Sequence, residues 1–190
     1  MIKQQKQFLN NQKMKKLLLI AVALMFSFSI FAQSPFDKFD GQENVTSVIV
    51  NKKMFEMMSK VKMDASDKDA KVYMDLLKKL DNLKVFSTSN TKNASEMKAT
   101  VSNYLKANPL DELMRVNDNG KNVKIYVKSG ASSSQVKELL MFIEGVNIKG
   151  SDNETVLLSL TGNFNLDEIS SLTEKMKLPG GESLKKASKK

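Results

Sequence analysis

The sequence predicts an α+β domain in which an antiparallel or mixed sheet has its helices packed on one face. Segments with alternating apolar and polar residues are interspersed with segments of helical periodicity. Asn119-Gly120 is the dipeptide best suited to a tight hairpin turn, which argues against an all-parallel sheet. A strand, a polar loop and a helix recur from Leu83, Val123 and Val156, and more loosely from Val45, which suggests duplicated β-α units.

The amino-terminal half is predicted to contain two strands and three helices. Val45–Val50 is rich in β-branched residues, and Asn51 is suited to cap the helix that follows. Leu83–Ser87 is the second strand, and Asn108-Pro109 ends the third helix because a residue before proline disfavours helical dihedrals. The apolar helix faces are, in turn, Met54, Phe55, Met58 and Val61; Tyr73, Leu76, Leu77 and Leu80, capped by Ser66 or Asp67; and Ala94, Met97, Val101, Tyr104 and Leu105.

The carboxy-terminal half is predicted to alternate hairpins and helices. Leu113–Asn117 pairs with Val123–Lys128, and later Val146–Lys149 pairs with Thr155–Thr161. Between these hairpins, Ser132 and Gln135 form a capping box for a helix bearing Val136, Leu139, Leu140 and Ile143, which Gly145 ends. Asn165 and Glu168 cap a last helix with Ile169, Leu172 and Met176 facing inward.

The amino-terminal segment is typical of a cleavable export signal. Lys15-Lys16 precedes the apolar stretch Leu17–Phe31, and Ala32 is the small residue before the expected cut. The stretch is shorter than the roughly 20 residues of a spanning helix, so cleavage is favoured over a membrane anchor. Met14 is the expected start, with residues 1–13 as an upstream extension, and the product is expected in the periplasm or outside the cell.

The remaining chain is predicted to be a single domain, residues 33–180, followed by a Lys-rich disordered tail, residues 181–190. Five lysines in residues 1–32 and four in the last six residues account for the net charge of +9, so the domain itself is close to neutral. With one arginine and no tryptophan, it lacks the basic, aromatic surface of a nucleic-acid binder. The expected partner is an unknown envelope protein or surface component, and no later segment is expected to span a membrane.

The chain contains neither histidine nor cysteine, which excludes the serine triad, Cys-His pairs, the common zinc sites, disulfides and lipidation of a cysteine. We therefore predict no catalytic, cofactor or metal residues. A hydrolase that uses Ser and Lys is one alternative, although five Ser-x-x-Lys matches in a chain rich in both residues indicate chance. A Met-based copper-binding protein is another, with Met54, Met57, Met58 and Met63 as ligands, but the same spacing gives a buried stripe.

The contact surface that the sequence predicts is the solvent-exposed face of the first predicted hairpin. Lys124, Tyr126 and Lys128 alternate with apolar residues, so an aromatic side chain lies between two cations on one face. These residues predict a non-enzymatic binding module. An ordinary solvent-facing surface is the alternative.

The start Met14-Lys15-Lys16, the ending Phe31-Ala32-Gln33 and the α+β pattern from Val45 to Met176 together resemble domain-of-unknown-function family 4252. This family comprises small exported proteins of the Bacteroides and Flavobacterium group. The family is uncharacterised, so the resemblance implies no catalytic residues. Because similar proteins are often encoded beside extracytoplasmic sigma-factor systems, it implies a role in envelope stress or signalling.

Overall fold

A computed structural model of the chain describes residues 34–61, 68–118, 120–132, 134–148, 151–169 and 172. The chain divides into two compact units, residues 1–37 and residues 38–190. In the first unit, the Ser34 N–H donates to Asp37 Oδ2 at 3.1 Å. The α-helices and strands described below all belong to the second unit.

The described residues form one antiparallel sheet of six strands, accompanied by three α-helices. The strands are β1 (Thr46–Asn51), β2 (Leu80–Thr88), β3 (Asp111–Asp118), β4 (Lys121–Ser129), β5 (Gln135–Ile148) and β6 (Ser151–Asn165). The helices are α1 (Lys52–Met58), α2 (Lys68–Lys79) and α3 (Thr91–Ala107), with short 3-10 turns at Asp37–Phe39 and Leu166–Glu168. The strand order is β1-β2-β6-β5-β4-β3, with every neighbouring pair antiparallel. The predicted α+β class is confirmed.

One face of the sheet, the core face, is packed beneath α1 and α2. Phe55 of α1 and Leu76 and Leu77 of α2 belong to the same buried cluster as Leu139 of β5 and Leu158 of β6. The predicted inward face of α2 is confirmed, since Tyr73, Leu76, Leu77 and Leu80 are all buried, although Leu80 already begins β2.

The predicted inward face of α1 is only partly correct. The Met54 N–H donates to Asn51 Oδ1 at 3.0 Å, so the predicted cap is confirmed. Phe55 is buried and Met58 packs against the core, but Met54 is 48% exposed and Val61 is 61% exposed. The helix has only seven residues, so its apolar face is narrower than the sequence spacing indicated.

The third helix, α3, packs on the opposite face of the sheet, which we call the α3 face. Lys98 of α3 forms an ion pair with Glu144 at 2.9 Å, and Tyr104 donates to Glu138 at 2.7 Å. Both carboxylates belong to β5 positions that alternate with the core-face residues, so helices cover both faces rather than the single face expected. The inward residues Met97 and Val101 are buried, as predicted.

The predicted helix at Val136–Ile143 is wrong, because this segment is part of β5. Leu139, Met141 and Ile143 lie on the core face, whereas Leu140 and Phe142 lie on the α3 face, and all five are buried. A strand buried on both faces shows no alternation of polar and apolar residues. Its continuous apolar run therefore also matches helical spacing.

The residues expected to cap that helix form the connection between β4 and β5 instead. Gln135 accepts from the Gly130 N–H through its backbone carbonyl at 2.6 Å and from the Ala131 N–H through its side chain at 3.2 Å. Gly145, the expected helix end, has φ of +75° at an irregularity in β5, where it lies against the Gly120 carbonyl. Since β4 is followed by a strand, the suggested duplication of β-α units does not continue there.

The first predicted hairpin is confirmed, with Asp118 paired to Lys121. The second is only partly correct. Strands β5 and β6 do form a hairpin, but Val156–Thr161 pairs with Glu138–Ile143, the segment predicted as a helix, whereas Val146 pairs with Glu154 and Ile148 with Ser151. After β6, the Asn165 N–H donates to Glu168 Oε2 at 3.2 Å, and Ile169 and Leu172 are buried as predicted. Three predicted residues, Ser66, Asp67 and Met176, lie outside the described residues.

We expect Gly162→Ala to lower the free energy of unfolding by about 1–3 kcal/mol, because the added methyl group would overpack a closed site. A Cβ at Gly162 would collide with the Lys79 carbonyl and lie 2.9 Å from Leu80 Cα, where α2 passes directly into β2. Urea unfolding measures the change. The neighbouring exposed Asn163→Ala is the control, and equal stability of the two variants would contradict the close approach.

Candidate functional site

The three residues predicted as a contact surface lie together on the α3 face of β4. Lys124 and Tyr126 are half-buried and Lys128 is exposed, whereas the alternating Val123 and Ile125 are buried on the core face. The neighbouring edge strand β3 adds Glu112 opposite Tyr126 and Arg115 opposite Lys124. We call Glu112, Arg115, Lys124, Tyr126 and Lys128 the cationic patch.

A bulge in β3 makes the central ion pair of the cationic patch possible. Residues three apart in a regular strand point to opposite faces. The register of β3 against β4 shifts between Glu112 and Met114, so that Glu112 and Arg115 both come to the α3 face. Arg115 then donates to the two Glu112 oxygens, from Nε at 2.9 Å and from a terminal nitrogen at 2.6 Å. This bidentate geometry fixes the plane of the guanidinium.

The charges of the cationic patch act on one another. The hydrogen bond from Arg115 is the main cause that lowers the pKa of Glu112, and the Tyr126 hydroxyl and the Lys124 charge lower it further. Burial, followed by the Glu112 charge, raises the pKa of Tyr126. Neither Lys124 nor Lys128 forms an ion pair with another residue in the described part of the chain, so both ammonium groups can meet a ligand.

A buried carboxylate lies at the border of the cationic patch. Glu138 of β5 is 8% exposed, lies directly opposite Lys128, and accepts a hydrogen bond of 2.7 Å from the Tyr104 hydroxyl. Burial is the main cause that raises the pKa of Tyr104 far above its usual range, and the bond to Glu138 adds to it. The Tyr104 hydroxyl is therefore a permanent donor that joins the carboxy-terminal part of α3 to β5.

Three of the serine and lysine residues considered for a hydrolase, Ser59, Ser95 and Lys98, have other partners. Ser95 Oγ donates to the Thr91 carbonyl at 2.8 Å, while Lys98 is paired with Glu144. Ser59 Oγ donates to the Glu56 carbonyl at 2.9 Å. The pairs Ser89 with Lys92 and Ser134 with Lys137 lie at exposed positions, and Lys62 and the pair Ser183 with Lys186 lie outside the described residues.

The methionines considered for copper do not converge on one point. Met54 and Met57 are 48% and 58% exposed, whereas Met58 packs against the core. Met63 lies outside the described residues. Of the three described methionines in this segment, Met54 and Met57 therefore face solvent and Met58 faces the core.

A surface that the sequence reasoning missed lies at the other edge of the sheet. Val48 and Ile49 of β1 are 48% and 41% exposed, although they point to opposite faces. Met54 and Met57 of α1 are exposed immediately after this strand. We call these four residues the apolar edge. The available signal was the lack of any charged residue in Thr46–Asn51.

Comparison with known proteins places this fold in a family. The family described as "Domain of unknown function (DUF4252)" matches residues 39–172. The chain belongs to this family. The match begins before β1 and ends after β6, so DUF4252 covers all the strands and α-helices described above, and the resemblance noted in the sequence is confirmed. No curated protein and no solved structure matches the chain. Among the described residues, no helix has the length and apolar character needed to cross a membrane.

We expect Tyr104→Phe to lower the free energy of unfolding by about 1–3 kcal/mol, because it removes the hydrogen bond to the buried Glu138 carboxylate. The matched control is Tyr73→Phe, whose hydroxyl makes no hydrogen bond to another described residue. Urea unfolding of both variants measures the difference. The double variant Tyr104→Phe/Glu138→Leu should recover stability, since neither partner then remains unpaired. A Tyr104→Phe cost no larger than that of the control would show that the bond does not stabilise the fold.

Proposed function

We propose that this protein is an exported, non-enzymatic binding module that engages an acidic surface of an envelope protein through the cationic patch. The proposal accommodates the DUF4252 membership, which assigns no activity.

The observation that carries the proposal is the charge contrast between the patch and its surroundings. Residues 33–184 are close to neutral overall, yet the cationic patch sets three cations around a half-buried tyrosine, against Glu112 within the patch and Glu138 at its border. Such a local excess steers an acidic partner toward this face. Tyrosine and arginine are also the residue types enriched where protein interfaces concentrate their binding energy.

The patch is partly organised before any partner arrives. The bidentate contact with Glu112 already holds the Arg115 side chain, and Tyr126 lies between Lys124 and Lys128 on a regular strand. A side chain that is ordered beforehand loses less conformational entropy on binding. Lys124 and Lys128 supply the charge that a partner carboxylate would neutralise.

Two sequence features support the remaining parts of the proposal. The chain lacks the histidine and cysteine that the serine triad, Cys-His pairs and the common zinc sites require, and Ser95 and Lys98 make separate bonds. The segment from Lys15 to Ala32 has the layout of an export signal. The link to sigma-factor signalling stays a prediction of the family resemblance.

We expect the patch variant Lys124→Glu/Lys128→Glu to lose its partner. The tagged full-length protein is expressed in its own envelope and crosslinked, and captured proteins are quantified by mass spectrometry. A partner bound through the patch should fall at least tenfold with this variant. Binding of the partner should also weaken as the salt concentration is raised, because salt screens the attraction between surface charges.

The matched control is Lys60→Glu/Lys71→Glu, which makes the same change in net charge at exposed positions before and within α2. The control should retain the partner. Recovery of the same proteins in the same amounts with both double variants would show that the cationic patch is not the contact surface.

We also expect the exported product to begin at Gln33. Expression of the full gene in a host with signal peptidase, followed by mass spectrometry of the amino terminus, measures this directly. An Ala32→Leu variant should be processed poorly, because the peptidase needs a small residue at that position. A product that keeps Leu17–Phe31 after membrane extraction would contradict cleavage.

A further inference from the structure

The two edges of the sheet differ in how they are protected against pairing. The outer strand β3 contains four charged residues, Asp111, Glu112, Arg115 and Asp118, and is interrupted by a bulge. Charges and bulges are the features by which natural edge strands avoid pairing with another chain. The other outer strand, β1, contains no charged residue and no proline.

Strand β1 is also regular enough to act as a template for pairing. Its register with β2 runs without a shift from Thr46 opposite Ser87 to Asn51 opposite Asn82. Among the described strands, none pairs with the outer side of β1, so that side presents a row of backbone donors and acceptors. The exposed Val48 and Ile49 add apolar surface to both faces of that row.

The charges at the two ends of β1 define the direction in which a partner strand would fit. Asp40 and Glu43 precede the strand, with Asp40 accepting a hydrogen bond from Ser47 Oγ at 2.7 Å. Lys52 and Lys53 follow it. Lys52 is paired with Asp81 at 2.9 Å and Lys53 lies 3.9 Å from Glu56, yet the two lysine side chains stay 63% and 78% exposed. A second β1 strand placed antiparallel brings the acidic end of each copy beside the basic end of the other. A parallel copy would bring like charges together.

We propose that two copies of this protein pair antiparallel through β1, about a two-fold axis at Val48, to form a continuous twelve-stranded sheet. A two-fold axis perpendicular to the sheet keeps the core faces of both copies on the same side. Val48 then lies opposite its own counterpart, Ser47 opposite Ile49, and Thr46 opposite Val50. Beyond the strand ends, the acidic segment that contains Glu43 in each copy comes near the first turn of α1, with Lys53, in the other.

The proposed pairing stops at two copies and cannot extend into a longer assembly. A two-fold contact uses the same surface on both copies, so it consumes both β1 edges at once. The outer edges of the twelve-stranded sheet are then the two β3 strands, whose charges and bulge prevent further addition. The inference does not depend on the proposed function, because the cationic patch lies at the opposite end of the sheet.

A single-cysteine variant tests the pairing directly, since the chain has no cysteine of its own. Directly opposed residues of an antiparallel pair have Cβ atoms about 4.5–5.5 Å apart, close enough for a disulfide after small adjustments. The full gene carrying Val48→Cys is expressed in an exporting host and oxidised after purification. We expect at least tenfold more disulfide-linked dimer than from the matched edge variant Leu113→Cys, whose residue is 36% exposed on β3.

Analytical ultracentrifugation of charge variants tests the register. Glu43→Lys and Lys53→Glu should each weaken dimerisation, and the double variant should restore it because the two charges are exchanged. Val48→Lys, which sets two ammonium groups beside each other at the axis, should abolish the dimer while the circular dichroism spectrum stays unchanged.

Three outcomes would overturn the inference. These are a wild-type protein that sediments as a monomer at all concentrations, equal crosslinking of the two cysteine variants, and a charge exchange that restores nothing. A monomer whose envelope partner is lost with Val48→Lys would assign β1 to a different protein and likewise overturn it. Loss of partner capture through Lys124 and Lys128 is measured separately, so failure of the proposed function is distinguishable from failure of the dimer.

Discussion

The burial of β5 and β6 on both faces is the constraint on which the rest of the structure depends. Leu139 and Leu140 are neighbours in sequence, point to opposite faces, and are both fully buried, as are Leu157 and Leu158 of β6 to within 1%. Burying a leucine stabilises a fold by about 1.5–3 kcal/mol, so both faces of these strands must be covered. Helices α1 and α2 cover one face and α3 covers the other.

The position of α3 explains why the polar surface lies where it does. The helix contacts β5 through Glu138 and Glu144, which are the charged residues that bracket the buried Leu140 and Phe142 on that strand. The α3 face of β3 and β4 bears polar and charged residues instead. The cationic patch is thus the part of the α3 face, on β3 and β4, that α3 leaves open to solvent. The patch is polar and charged because α3 is too short, and lies too far toward β5, to cover it.

The sequence allowed prediction of the elements in which the apolar residues follow a single periodicity, helical or alternating, or in which a turn dipeptide is present. The α2 face from Tyr73 to Leu80 and the Asn119-Gly120 hairpin belong to this group, because each has a single buried side or a specific turn dipeptide. The five consecutive apolar residues Leu139–Ile143 indicate a strand covered on both sides as well as a helix, and only the partner strands decide between the two. The contact between Glu112 and Arg115 was not predictable, since it requires a bulge that no local pattern in β3 specifies.

Strand β6 joins two parts of the sheet. It pairs with β2 of the amino-terminal part, β1 and β2, and with β5 of the carboxy-terminal part, β3 to β5. Strands β3 to β6 follow one another as neighbours, whereas β2 reaches its second partner only through the ladder with β6. As the chain is synthesised from its amino terminus, β1 is the only described strand that β2 can pair with until β6 has been made. Long-range strand pairing of this kind is slow and exposes an open strand meanwhile. Completion of β6 is therefore the step that joins the early half of the protein to the late half.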